Sequence, residues 1–112
     1  MNSKLKINKF KKMKLLLLTC IEEYENEVKN ILKHSGVKAF SYQEVKGYKN
    51  ESNGKINNWF VSDNIPMKSL MFTVFIENEC MFDIFDKVEK FNSERSSKSK
   101  IHLACLSVDH TI

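Results

Sequence analysis

The chain has 112 residues, a formal charge of +4 and 42% apolar residues, enough for one hydrophobic core but not for a core and a second module. One Pro and three Gly exclude a low-complexity or collagen-like chain. The charge is uneven: residues 1–14 hold six Lys and no acid, and the nearly neutral body that remains argues against a nucleic-acid surface built into the fold.

Residues 1–12 read as a basic disordered tail ahead of one domain over 13–112. The same arm is a candidate for weak phosphate or anionic-lipid contact. A Lys-rich start followed by "LLLL" superficially resembles a signal peptide, but the apolar run covers only Met13 to Cys20 and no small-residue cleavage site follows. Nothing approaches the apolar length that spans a bilayer. The expected location is cytoplasmic, with recruitment to a membrane left to a partner. Cys20, Cys80 and Cys105 are odd in number and far apart, which fits reduced thiols better than a disulfide framework.

"MKLLLLTC" is a continuous apolar run of strand length and predicts a central first strand. In "IEEYENEVKNILKHSG", Ile21, Tyr24, Val28, Ile31 and Leu32 recur at helical steps, with Glu22, Glu23 and Glu25 in the electropositive first turn and Gly36 as the stop. "VKAFSYQEVK" alternates and predicts a second strand near an edge. After a long polar loop, "SLMFTVFIE" predicts a third, central strand, apolar on both faces. "NECMFDIFDKVEKFN" puts Met81, Phe85, Val88 and Phe91 on one helical stripe with Ile84 beside it and Asn78 as N-cap. "SERSSKSK" reads as a loop and "IHLACLSV" as the last strand.

This order predicts an α+β, ferredoxin-like βαββαβ domain: a four-stranded antiparallel sheet with two helices on one face. The other face is left uncovered. Because the third strand is apolar on both sides, further copies of the chain are the expected cover.

No Gly-rich phosphate loop, nucleophile elbow, zincin motif or closely spaced cysteine pair occurs, and no enzyme is expected. Cys105 reads as a small buried hydrophobe. The acidic groups of both helices read as solvated faces without acid-base roles. Cys20 at the end of the first strand and His102 at the start of the last make a conceivable soft-metal pair, with Cys80 or His34 as a third ligand. Ordinary packing competes with that reading, since strand parity can send the two side chains to opposite faces.

From Gly47 to Pro66 the loop is several times longer than a hairpin needs, and such loops are functional or disordered. Trp59 and Phe60 lie on it. Either both rings fold back and pin the loop, or one anchors a partner.

"GVKAFSYQEVKGY", "SKSKIHLACLSVDHTI" and the element order resemble the PII signalling proteins. That resemblance implies a homotrimer that binds a small anionic effector, possible as an adenine nucleotide, between subunits. It also implies control of a partner through the long loop, the partner being a membrane transporter or its cytoplasmic segment. In PII-like branches such transporters include those for metal efflux or inorganic carbon. It implies that Gly47 opens the loop beside the ligand, that Tyr48 follows it, and that Lys100 meets phosphate. The glutamine that usually senses the nucleotide and its cofactor metal is replaced by Glu51 or shifted, and Ser97 and Ser99 replace glycines of the phosphate loop. No loop-tip tyrosine for uridylylation is present, and the chain stops before an arginine-containing tail. The resemblance therefore implies a modified site of modest affinity. A second relative, the divalent-cation-tolerance family, shares the fold and an aromatic loop but lacks "EVKGY"; it implies metal binding without a signalling target.

Overall fold

A computed structural model describes residues 12–48, 67–96 and 99–112. They form four strands, β1 (Met13–Ile21), β2 (Ser41–Gly47), β3 (Met67–Glu77) and β4 (His102–Val108), and two helices, α1 (Glu25–His34) and α2 (Met81–Ser93). A 3-10 turn leads into each helix, at Glu22–Tyr24 and Asn78–Cys80. The sheet order is β2-β3-β1-β4 and every neighbouring pair is antiparallel. This is the expected ferredoxin-like arrangement. Among the described residues no helix is long and apolar enough to cross a membrane.

Alternation along the central strands sets the core. Leu16, Leu18 and Cys20 of β1 and Leu70, Phe72, Val74 and Ile76 of β3 point to one face and are buried. Val28, Ile31 and Leu32 of α1 and Ile84, Val88 and Phe91 of α2 close over them in one cluster. Burying a side chain of this kind contributes about 1.5 to 3 kcal/mol, so the face shared by sheet and helices carries the stability of the domain. On α2 the buried stripe runs Ile84, Val88, Phe91, while Phe85 is only half-buried; Val88 and Phe91 lie in the expected seam, and Ile84 takes the place of Phe85.

Helix ends follow local chemistry. Gly36 takes φ +83°, which lets the amides of Gly36 and Val37 reach back to the carbonyls of Lys33 at 3.3 Å and Leu32 at 3.1 Å. Those two bonds satisfy orphan carbonyls of α1. Lys87 of α2 donates to the His34 carbonyl at 3.0 Å and to the Ser35 hydroxyl at 3.2 Å, tying α2 to that terminus. Asn78 does not serve as the side-chain N-cap; the residue before α2 is Cys80, and no side-chain cap is made there.

The second strand starts later than its alternation suggests. Pairing with β3 begins at the Ser41–Thr73 pair, because Val37 and Phe40 turn down against the core after the Gly36 bend. Phe40, Tyr42 and Phe72 then make a ring cluster at this edge, with Tyr42 stacked on Phe72 at 4.8 Å.

The opposite sheet face carries Leu15 and Leu17 of β1, Met71, Thr73 and Phe75 of β3, and Ala104 and Leu106 of β4, aligned by register. Phe75 is 53% exposed and Leu106 46%. The third strand is thus apolar on both sides, but on this face Met71 and Thr73 are only half-buried and Phe75 is exposed.

Candidate functional site

The end of β1, the start of β3, the end of β2 and the start of β4 meet at one end of the sheet. There Gly47 pairs with Met67, Val45 with Ser69, Ser69 with Ile21, and Thr19 with His102. Gly47 is buried and Tyr48 is 64% exposed. Ser99 and Lys100 lie just before β4 at the same end. Since β2 and β4 are the outer strands, three strand spacings, about 14 Å, separate the Gly47 edge from the Lys100 edge. One copy brings these groups to one end of the sheet but not to one point. Glu51, Ser97, Trp59 and Phe60 lie outside the described residues.

The segment before β4 is held firmly. The Lys100 ammonium donates to the carbonyls of Asn92 at 3.0 Å and Arg95 at 3.2 Å, at the C-terminal end of α2 where the helix dipole favours a cation. Asn92 clamps Ile101, and the Tyr24 hydroxyl donates to the Ser99 carbonyl at 3.2 Å. Tyr24 in turn meets Phe91 edge-on at 4.9 Å, and the Arg95 guanidinium lies 4.1 Å from the centre of the Phe91 ring. An ammonium has three donors, and among the described residues two of those of Lys100 go to the Asn92 and Arg95 carbonyls. Asn92 and Tyr24 escape sequence reading because their partners lie 9 and 75 residues away.

On the uncovered face at this end, the hydroxyls of Thr19 and Ser69 are buried without a hydrogen-bond partner among the described residues. Buried hydroxyls are normally paired, and neither residue was singled out by sequence. Cys20 and His102 are not brought together. His102 pairs with Thr19 and shares its face, whereas Cys20, one residue on, points into the core at 1% exposure. Burial pushes the Cys20 thiol up to about 12, with the Glu25 charge adding to the effect. A protonated thiol on the wrong face gives the metal pair no basis. Among the described residues no group of three or more His, Cys, Asp or Glu could hold a metal ion.

A second feature lies at the opposite end of the sheet. Because β3 runs on to Glu77 while β2 begins only opposite Thr73, a cleft opens between the Gly36–Ser41 connection and the end of β3. Its volume is about 660 Å3, and Phe40, Phe75, Ile76, Cys80 and Met13 give it mainly apolar walls, with Lys38 and Glu77 also lining it. That size and lining suit a small flat ligand group. The mismatch in strand length creates it, and nothing in the alternation of "VKAFSYQEVK" signals the mismatch.

No protein-family model matches the chain, and no curated protein matches it. Solved structures do. CPII from Thiomonas intermedia K12, a nitrogen regulatory PII-like protein solved with ADP, AMP and bicarbonate, superposes with TM-score 0.60 at 16% identity, covering 90% of this chain and 97% of its own. GlnK of B. subtilis gives TM-score 0.70 at 12% identity, with 90% and 89% covered, and was also solved as an ATP complex. A PII-like signalling protein from Thermus thermophilus gives 0.60 at 14% identity, with 87% of each chain covered. At these identities the likeness is one of fold: the chain has the fold of the PII-like proteins.

Proposed function

We propose that this chain is a divergent PII-like regulator. Copies associate as a homotrimer through the uncovered apolar face, bind an adenine nucleotide at a site completed between copies, and signal its occupancy to a partner through the loop after Gly47. The partner is a membrane transporter or its cytoplasmic segment. One observation carries the reading: the apolar cleft and the Ser99–Lys100 segment stand at opposite ends of the same sheet. A flat base suits the first and phosphates suit the second, so a whole nucleotide needs the cleft of one copy beside the cation of another. Leu15, Leu17, Phe75 and Leu106 supply the apolar surface that such packing would bury. The CPII structure described above holds ADP, AMP and bicarbonate, and the GlnK complex holds ATP, which makes these the first ligands to try.

Ser99 can donate to phosphate oxygens and Lys100 supplies charge, but without the glycines of a phosphate loop the backbone cannot approach closely, so affinity is modest. Gly47 and Tyr48 sit where the loop leaves the sheet. Ligand contact there biases the loop, and Trp59 or Phe60 is the anchor that a partner reads.

Light scattering tests the assembly: a mass of three chains supports the reading, and a monodisperse monomer contradicts it. For the loop, Trp59 fluorescence should be quenched by acrylamide in the free protein and protected when the transporter segment is added. Protection in both states assigns Trp59 to pinning the loop instead.

A further inference from the structure

The segment that would meet phosphate lacks the device that usually shapes such segments. A glycine-rich turn fixes its backbone amides through its own geometry, whereas this chain has Ser97, Ser99 and Lys100 there. Ser99 and Ile101 are instead held by side chains from outside the segment. Asn92, in the last turn of α2, accepts from the Ile101 amide through Oδ1 at 2.9 Å and donates from Nδ2 to the Ile101 carbonyl at 2.9 Å. A single amide side chain thus holds both backbone groups of one residue, which fixes the peptide planes on either side of it. Two residues earlier, the Tyr24 hydroxyl holds the Ser99 carbonyl. Lys100 lies between these anchors, and its ammonium is drawn to the Asn92 and Arg95 carbonyls.

The pairing is specific to asparagine. An aspartate would accept from the Ile101 amide and repel the Ile101 carbonyl, and an aliphatic side chain would leave both without this partner. Tyr24 is equally placed by its ring, edge-on to Phe91 in the core, so its hydroxyl is delivered to Ser99 from a rigid base.

We propose that Asn92 and Tyr24 are the positioning residues of the anion site, setting Ser99 and Lys100 in place for the phosphates in the manner of a glycine-rich turn. The proposal rests on the nucleotide reading above. Because Asn92 acts on the ligand through Lys100, the two should be strongly coupled.

The test is a calorimetric titration of ADP into the full chain and its Asn92→Ala, Lys100→Ala and double variants, each also melted. Asn92→Ala should weaken ADP about tenfold in the wild-type background and change little once Lys100 is gone. An equal loss in both backgrounds would make Asn92 a support of the fold only and overturn the proposal, as would unchanged affinity. Should Asn92→Ala fail to fold, Tyr24→Phe keeps the ring on Phe91 and removes only the hydroxyl. It should weaken ADP about threefold without lowering the melting temperature; unchanged affinity there overturns the proposal. Wild-type protein that takes up no ADP overturns the nucleotide reading and this inference with it, whereas binding that ignores these substitutions overturns the inference alone.

Discussion

Thr19 and Ser69 stand diagonally across the β1–β3 ladder on the same sheet face, the former opposite Met71 and the latter opposite Ile21, each no more than 2% exposed and neither hydroxyl hydrogen-bonded among the described residues. An unsatisfied buried hydroxyl costs a protein stability unless a ligand or a second copy supplies its partner. Thr19→Val and Ser69→Ala should therefore each stabilise the free protein by about 1 kcal/mol in chemical denaturation. A loss of stability from both substitutions would show that the hydroxyls already have partners.

Gly36 closes α1 at φ +83°, and a Cβ there would meet nothing within 4 Å. Gly36→Ala should thus lose stability through backbone strain alone, by about 1 kcal/mol. Denaturation that shows no loss would contradict the turn that sends Val37 and Phe40 into the core.

Tyr42 fastens the edge strand twice, by stacking on Phe72 and by donating to Glu25 at 2.7 Å. Glu25 also accepts from Lys29 at 2.6 Å, and these two hydrogen bonds hold its carboxyl below the usual range. The carboxylate is open to water, so the ring matters more than the hydroxyl. Tyr42→Phe should leave the melting temperature nearly unchanged, while Tyr42→Ala should cost about 1 to 2 kcal/mol. Equal losses would move the weight to the hydrogen bond.

Cys20 makes the domain sensitive to alkali. Its thiol ionises near 9 when the chain is unfolded and at about 12 when folded, so the folded state keeps a proton that the unfolded state gives up. Stability is then independent of this group below pH 9 and falls as pH rises toward 12. Cys20→Ala should lower the melting temperature at neutral pH yet show a shallower decline between pH 9 and 11. Parallel declines in the two proteins would mean that Cys20 does not titrate this way.

The fold was legible because its elements differ in period. The Leu run of β1, the helical spacing of Val28, Ile31 and Leu32, and the dense apolar β3 each report a local backbone choice, and their order leaves few topologies. The site was legible only in part. Gly47 and Lys100 could be placed at strand ends, but whether Cys20 and His102 share a face turns on a one-residue parity that spacing does not reveal. The cleft beside Phe40 and Phe75 arises because β2 is shorter than β3, and the Asn92 clamp arises because α2 packs beside the start of β4. Both are tertiary facts, written in no local pattern.

The central claim, that copies of this chain complete an adenine-nucleotide site, is tested most directly by titrating ADP into the wild-type protein in a calorimeter. The account predicts saturable binding with one ADP per chain and modest affinity, tighter than about 1 mM. A flat titration at that concentration would contradict it.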